Sequence, residues 1–437
     1  MNRRNFLSKS GLIAATPFLA PAQQGGRRAG GREGMSRGPV GERGLQPLNG
    51  GKIGNTPAMK ITDIKTFLVG AENRNWVYVK VLTDQGIYGI GEAYSAGPDE
   101  ATVKVIEDFK LWLVGNDPRN VQYLFDVMYN TTRFPGGIIV NSAMSGIEHA
   151  LWDIAGKSAG VPVWALLGGR VRNKIRTYQS TGGATPEQAG EAAKRMVETY
   201  GYTALKMGIQ ASGSMPYNQA TRVTAQHVRA VREAVGPDVD IGVDVHAKFF
   251  EAERAIRLAK AIEPYDPMWM EESVRPENYD AMKKVSDHVS IPLASGESNY
   301  GIYEFKQLIE RQCLDFLQPD ICCCGGVLVM KKIAAMAEAQ YMMIAPHNPM
   351  SPLATAVNVH FAASTPNFYI LEYSAPVSGA RKNVLKEPLM VNKDGYLDIP
   401  NKPGWGVELN EEAFSRMPPV PWKRGTSFRA DGSPYFQ

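Results

Sequence analysis

Two periodicities divide the chain. Between Met59 and Glu92, apolar and polar positions alternate with period two over 61–67 and 76–81, and an Asp84-Gln85-Gly86 turn leads into a third such run at 87–92. Alternation interrupted by a glycine-bearing turn predicts an antiparallel meander. Helical spacing then takes over through 101–113, 121–129 and 142–159. Together these predict an α+β unit that ends near Gly168-Gly169-Arg170.

From about Lys174 a different pattern repeats. Short apolar runs at 175–180, 204–207, 241–245, 268–270, 292–295, 316–318, 342–345 and 368–371 each give way to a polar residue and then to a helical stretch. Eight strand-then-helix units predict an α/β barrel of the TIM type. The competing architecture, an open doubly wound sheet, would need a glycine-rich phosphate loop after its first strand, and Ser180-Thr181-Gly182-Gly183-Ala184 is a poor match. Beyond Glu372 the chain is rich in prolines and turns, and it is expected to return to the N-terminal unit. The expected layout is a capping domain over 59–172, a barrel over 173–372 and a returning segment over 373–437.

A chain of 437 residues, 44% hydrophobic, can supply a core for each unit. Its formal charge of +4 is unevenly placed: residues 1–58 hold nine Lys/Arg against two Asp/Glu, which leaves 39 against 42, or −3, for the rest. The folded part is therefore not basic, and no nucleic-acid partner is expected. The first 22 residues read Asn2-Arg3-Arg4-Asn5-Phe6-Leu7, an apolar stretch over 11–20, then Ala20-Pro21-Ala22. That order is the signature of a twin-arginine signal peptide and predicts a periplasmic or otherwise exported protein with no stable membrane association after cleavage. A disordered basic N-terminus is the plainer alternative. Residues 23–58 hold 11 glycines among 36 positions and read as a flexible linker. The four cysteines, Cys313 and the run Cys322-Cys323-Cys324, lack zinc-finger spacing and read as buried small apolar residues.

One ionisable group follows each of seven strands: Lys206, Asp244, Glu271, Glu297, Asp320, His347 and Glu372, at intervals of 27, 26, 23, 27 and 25 residues after Asp244. A lone acidic residue after a strand is usually a helix cap. A succession at the spacing of one strand-helix unit instead gathers on one rim, the C-terminal face where barrel sites lie. Asp244, Glu271 and Glu297 offer hard oxygen ligands, a set that suits Mg²⁺ better than zinc. Alternation should aim Glu271 and its neighbour Glu272 to opposite sides, with Glu271 chosen because it lies 26 residues before Glu297 and Glu272 kept as the alternative. His347, one unit after Asp320, can be held by it as a general base, and His246 stands two residues from Asp244.

Asp244-Val245-His246, Glu271-Glu272, Gly296-Glu297, Gln318-Pro319-Asp320, Gly325-Gly326, Pro346-His347 and Glu372 together resemble the enolase superfamily of the mandelate racemase/muconate lactonizing type, in its galactonate and mannonate dehydratase branches. The likeness runs from about Met59 to Glu372. It implies a modified (β/α)7β barrel with a capping domain, one Mg²⁺ on Asp244, Glu271 and Glu297, and a homo-oligomer. It also implies roles: His347 with Asp320 takes the proton beside a substrate carboxylate, His246 protonates the departing β-hydroxyl, Glu372 hydrogen-bonds the enediolate, and Lys206 adds positive charge near the carboxylate. Two departures stand out. Lys206-Met207-Gly208 lacks the second lysine of racemase-type relatives, and Ser273 follows Glu272 where proline is usual.

The expected activity is Mg²⁺-dependent dehydration of a small sugar acid, an aldonate, to a 2-keto-3-deoxy acid. A racemase or epimerase is the alternative, with His246 as second base; a non-catalytic exported sugar-acid binding protein is the rival from another class. Substrate selection falls to the capping segments 72–76 and 131–139, with Arg133 as the candidate contact.

Overall fold

The computed structural model describes residues 48, 51–71, 74–211, 215–421, 425 and 427–435. The expected signal peptide, most of the expected linker and Glu72 lie outside them. No helix among the described residues is long and apolar enough to cross a membrane.

The N-terminal unit is a three-stranded antiparallel sheet, β1 (Ile61–Ala71), β2 (Arg74–Thr83) and β3 (Tyr88–Ala93), packed on α1 (Asp99–Leu113), α2 (Val121–Thr131) and α3 (Ile138–Ala159). Two glycines of β3 set how closely α3 approaches. A Cβ on Gly89 would lie 1.9 Å from Ala150 O, and one on Gly91 would lie 2.0 Å from Gly146 O. Only backbone fits there, so the longest helix lies directly on the sheet.

After α4 (Val163–Leu166), strand and helix alternate: β4 (Lys174–Thr181), α5 (Pro186–Tyr200), β5 (Ala204–Gly208), α6 (Tyr217–Val235), β6 (Asp240–Asp244), α7 (Ala252–Ile262), β7 (Trp269–Glu271), α8 (Tyr279–Ser286), β8 (Leu293–Ser295), α9 (Gly301–Arg311), β9 (Phe316–Leu317), α10 (Gly326–Glu338), β10 (Met343–Ile344), α11 (Pro352–Ala363) and β11 (Leu371–Glu372). Neighbouring strands pair in parallel in the order β10-β9-β8-β7-β6-β5-β4-β11. The sheet closes through the last segment. Leu371 and Glu372 pair with Thr177 and Tyr178 of β4, while Ile344 of β10 bridges to Phe368, with Tyr369 N–H donating to Ile344 O at 2.8 Å. Seven barrel helices follow the first seven strands, and among the described residues only the short α12 (Gly379–Asn383) and α13 (Glu411–Phe414) follow the eighth. This is the (β/α)7β barrel.

The lower barrel interior is filled by aromatic rings. Tyr178 meets Trp269 at 5.6 Å between centroids, Trp269 meets Phe316 at 5.2 Å, and Phe316 meets Tyr369 at 5.0 Å. Gly242 makes room for this stack, since a Cβ there would come within 2.8 Å of Trp269 Nε1. The interior is thus a packed floor, and a cavity opens above it at the strand C-termini.

The segment after β11 runs back over both units. β12 (Tyr396–Asp398) pairs antiparallel with β4. Trp405 is fully buried and donates its indole N–H to Ile90 O and His149 O, both at 3.1 Å. Phe414 stacks on Tyr78 at 5.5 Å, so β2 is covered on both sides, which explains its nearly unbroken buried run.

Candidate functional site

The strand ends deliver their ionisable groups to one cavity of about 550 Å³, lined among the described residues by Lys206, Asp244, His246, Glu297, His347 and Glu372 from the barrel and by Arg74, Tyr94 and Ser95 from the capping side. Lys206 Nζ stands at the focus of three carboxylates, 2.8 Å from Glu271 Oε1, 3.1 Å from Glu372 Oε1 and 3.2 Å from Asp244 Oδ2. Glu271 lies beneath, fully buried, with its other oxygen accepting the Trp269 indole N–H at 3.0 Å. The aromatic floor therefore fixes the innermost carboxylate.

His347 and Asp320 meet as the spacing predicts. Nδ1 of His347 is 2.9 Å from Asp320 Oδ2, and the other Asp320 oxygen accepts the Cys322 N–H at 2.8 Å. The turn through the three cysteines thus orients the carboxylate that orients the histidine. Nε2 of His347 faces Glu297 Oε2 at 3.5 Å. Burial disfavours the charged ring, but Glu297, the Asp320 hydrogen bond and Glu372 outweigh it and push the pKa up to about 10. His246 places Nδ1 3.1 Å from Asp244 Oδ2 and its backbone N–H 2.8 Å from Oδ1. The hydrogen bond to Asp244 raises its pKa to about 9.

Strand alternation does not separate Glu271 from Glu272. Glu272 takes φ of +43°, outside any strand, and its buried carboxylate turns back toward Asp244 and Glu297, accepting from Ser298 Oγ at 3.3 Å. A left-handed turn at a non-glycine residue is uncommon and cannot be read from composition. Burial and the surrounding carboxylates raise Glu271 to about 7 and Glu272 to about 8, even with Lys206 drawing Glu271 the other way. Glu372 behaves differently. Burial raises it, but Lys206 and His347 hold its carboxyl below the usual value. Its oxygens accept from Lys206 and from the Asn348 N–H at 2.9 Å, so it acts here as an acceptor that orients Lys206 and the His347 loop. Donating to an enediolate would require a proton that both neighbours oppose.

No three Asp, Glu, His or Cys groups among the described residues converge on a single point in this arrangement. The donor chemistry nevertheless fits a hard divalent cation. Burial and the charges of Asp244 and Glu297 raise the proton affinity of Glu271 and Glu272, the mark of a carboxylate surplus that one lysine does not balance.

Arg133 lies elsewhere. It is exposed, packs over the Phe134 ring at 5.4 Å and is not among the residues lining the cavity. The cation on the capping side is Arg74, within the predicted selecting segment but not singled out there. Tyr94 was also missed. It follows β3, and its ring lies 6.3 Å from that of His347. Neither carries a spacing signal, because both reach the cavity through docking of the two units.

Residues 188–413 match the model for enolase C-terminal domain-like proteins, and residues 55–168 match the mandelate racemase/muconate lactonizing enzyme N-terminal domain. The chain belongs to the enolase superfamily. A D-galactonate dehydratase from Variovorax paradoxus is 36% identical over 86% of this chain and 99% of its own length. A D-xylonate dehydratase from Haloferax volcanii is 36% identical over 81% of this chain and 88% of its own. Among solved structures, an enolase-type protein from Agrobacterium radiobacter, described as a galactarate dehydratase candidate with sodium and L-malate bound, is 37% identical. It aligns with a TM-score of 0.83 and covers 86% of this chain and 100% of its own. The superfamily membership and the (β/α)7β architecture expected from the motifs are thus established.

Proposed function

We propose that this protein is a hydro-lyase that dehydrates a sugar acid to a 2-keto-3-deoxy acid. The observation that carries the reading is the placement of two histidines, each held by its own carboxylate, in one cavity from separate strand ends: His347 on Asp320 and His246 on Asp244. Dehydration needs a base and an acid on one substrate, and binding alone needs neither. The curated relatives named for dehydration of galactonate and xylonate support the same class.

Asp244, Glu271 and Glu297 would hold one Mg²⁺, which when bound supplies a Lewis-acid anchor for the substrate carboxylate. Everything else falls to side chains of this chain. Lys206, kept charged by its three carboxylates, adds a fixed positive charge beside the same end of the substrate. Once the charge of Glu297 is compensated, the largest upward push on His347 is gone and its ring moves toward the neutral form a base requires. Nε2 then takes the proton on the carbon next to the carboxylate. The electron pair of that C–H bond is first held on the substrate carboxylate as an enediolate, then forms the carbon–carbon double bond as the C–O bond to the β-hydroxyl breaks, and His246 gives the departing oxygen its proton to make water. The resulting enol tautomerises to the 2-keto acid.

Epimerisation is the second reading, favoured by the same two histidines facing one cavity. The absent second lysine weakens it: Gly208 lines the cavity and a side chain there would meet nothing within 4 Å. Incubating the Mg²⁺-loaded protein with a panel of sugar acids separates the readings. Formation of 2-keto-3-deoxy acid is the expected result, whereas inversion with solvent deuterium incorporation and no loss of water would replace it with epimerisation.

A further inference from the structure

The cavity is electrostatically lopsided. Its floor holds the carboxylates and Lys206, while its capping wall holds Arg74, at the start of β2. Tyr94 stands between the two, feeling Asp320 and Glu297 on one side and Arg74 on the other. Burial keeps its phenol neutral, and its hydroxyl makes no hydrogen bond to another described residue.

The cations around this space are not equivalent. Lys206 is committed to three carboxylates. Arg381 donates to Pro349 O and Met350 O at 2.5 and 2.6 Å and packs over Trp76 at 5.5 Å, so it fastens the loop after β10. Arg74 has no carboxylate partner among the described residues; its one hydrogen bond is to Met350 Sδ at 3.7 Å, a weak acceptor. It also borders a second, adjoining space of about 240 Å³ that shares Ser180, Pro349 and Glu372 with the first. A guanidinium that meets only a thioether among the described residues is suited to a planar anion, because a carboxylate can take two of its N–H groups at once.

We infer that Arg74 binds a second, distal carboxylate, so that the substrate is a sugar diacid, an aldarate, rather than the aldonate the motifs lead one to expect. The inference rests on the sugar-acid dehydratase reading for the chemistry at the near end. It adds a charge-selective site at the far end: one carboxylate beside Lys206 and the acidic floor, the other on Arg74, and the hydroxylated carbons between them passing Tyr94. A monoacid would present a hydroxyl to Arg74 and leave its charge uncompensated.

The test compares kcat/KM for stereochemically matched pairs of six-carbon aldarates and aldonates, using the full chain loaded with Mg²⁺ and its Arg74→Met variant. For the configuration that reacts, the diacid is expected to exceed the monoacid by about tenfold or more, and Arg74→Met to lower the diacid-to-monoacid ratio by about 100-fold, as loss of a bidentate charged contact requires. Preference for the monoacid, or an equal loss on both, would overturn the diacid site while leaving dehydration intact. Failure of every pair to react would instead defeat the dehydratase reading, and the diacid site is then decided by thermal shift. A larger rise in Tm with diacid than with monoacid, abolished by Arg74→Met, sustains it, and equal shifts overturn it.

Discussion

Two groups of buried carboxylates lie within this molecule, and they are compensated in opposite ways. At the strand ends, Asp244, Glu271, Glu272 and Glu297 crowd together with Lys206, and burial with the neighbouring charges raises the proton affinity of Glu271 and Glu272. At the joint between sheet, α3 and barrel, Glu92, Glu148 and Asp153 stand apart, each ringed by donors. Glu92 accepts from Ser351 N–H, Ser351 Oγ and Ala354 N–H, and Glu148 accepts from Trp152, Val327 N–H and Leu328 N–H. Asp153 takes the Ile90 and Trp405 N–H groups and pairs with Lys157 at 2.8 Å. The joint carboxylates cap helix ends and tie distant segments together, which is structural work. At the site, Glu272 and Glu297 have one side-chain contact each among the described residues, Ser298 at 3.3 Å and His347 at 3.5 Å, and such a shortfall is what a ligand or ion can relieve.

The sharpest way to break this comparison is to neutralise one member of each group. Glu271→Gln is expected to abolish turnover, by about 10⁴-fold or more, while leaving thermal stability near neutral pH unchanged or slightly raised, since burial and the neighbouring carboxylates already push its carboxyl up to about 7. A large fall in Tm would place Glu271 with the structural group. His347→Asn should likewise eliminate both product and α-hydrogen exchange with solvent. His246→Asn should slow dehydration by about 10²–10³-fold yet leave exchange measurable, because proton removal precedes departure of water. Equal loss of exchange in both variants, with Mg²⁺ still bound, would end the division of labour between them.

Glu148→Ala should show the reverse profile. It strands three buried donors and is expected to cost on the order of 3 kcal/mol of stability, read by denaturant unfolding, with kcat largely retained in the folded fraction. The smallest effect concerns pH. Burial raises Glu148 to about 7, above its value in the unfolded chain, so the folded state binds the proton more tightly and stability falls as pH rises from about 4.5 to 7. His149 and His360, lowered by burial to about 3 and about 4, titrate with the opposite sign over an overlapping range. The difference between wild type and Glu148→Gln isolates the carboxyl: the wild type should lose stability relative to the variant across that window, and a flat difference would show that Glu148 is ionised throughout.

The barrel was legible because seven of its eight strands are short apolar runs that lead into an ionisable residue, and the regular intervals from Asp244 to Glu372 follow from one strand-helix unit per step. The pairing of His347 with Asp320 was legible for the same reason. What stayed hidden depends on conformation or docking. Glu272 joins the cluster through a backbone turn at φ of +43° that no residue type announces. Arg133 looked suitable by charge, yet its loop points to solvent, while Arg74 reaches the cavity because β2 begins at its rim. The beginning of α3 at Ile138, four residues ahead of the expected start, follows Gly137 at φ of 80°, a turn written in geometry more than in hydrophobic spacing.

Trp405 carries a consequence for how the molecule is made. Its indole N–H bonds to Ile90, 315 residues earlier in the chain, and to His149, and its backbone N–H bonds to Asp153. The capping unit therefore lacks its keystone until synthesis has passed the whole of the barrel that follows it. Contacts of such long sequence separation form late, because the intervening loop must be closed before they reward it. Until then β3 and α3 expose the apolar seat that the indole will fill, and the nascent chain passes through a stage in which its earliest-made part is the last to become complete.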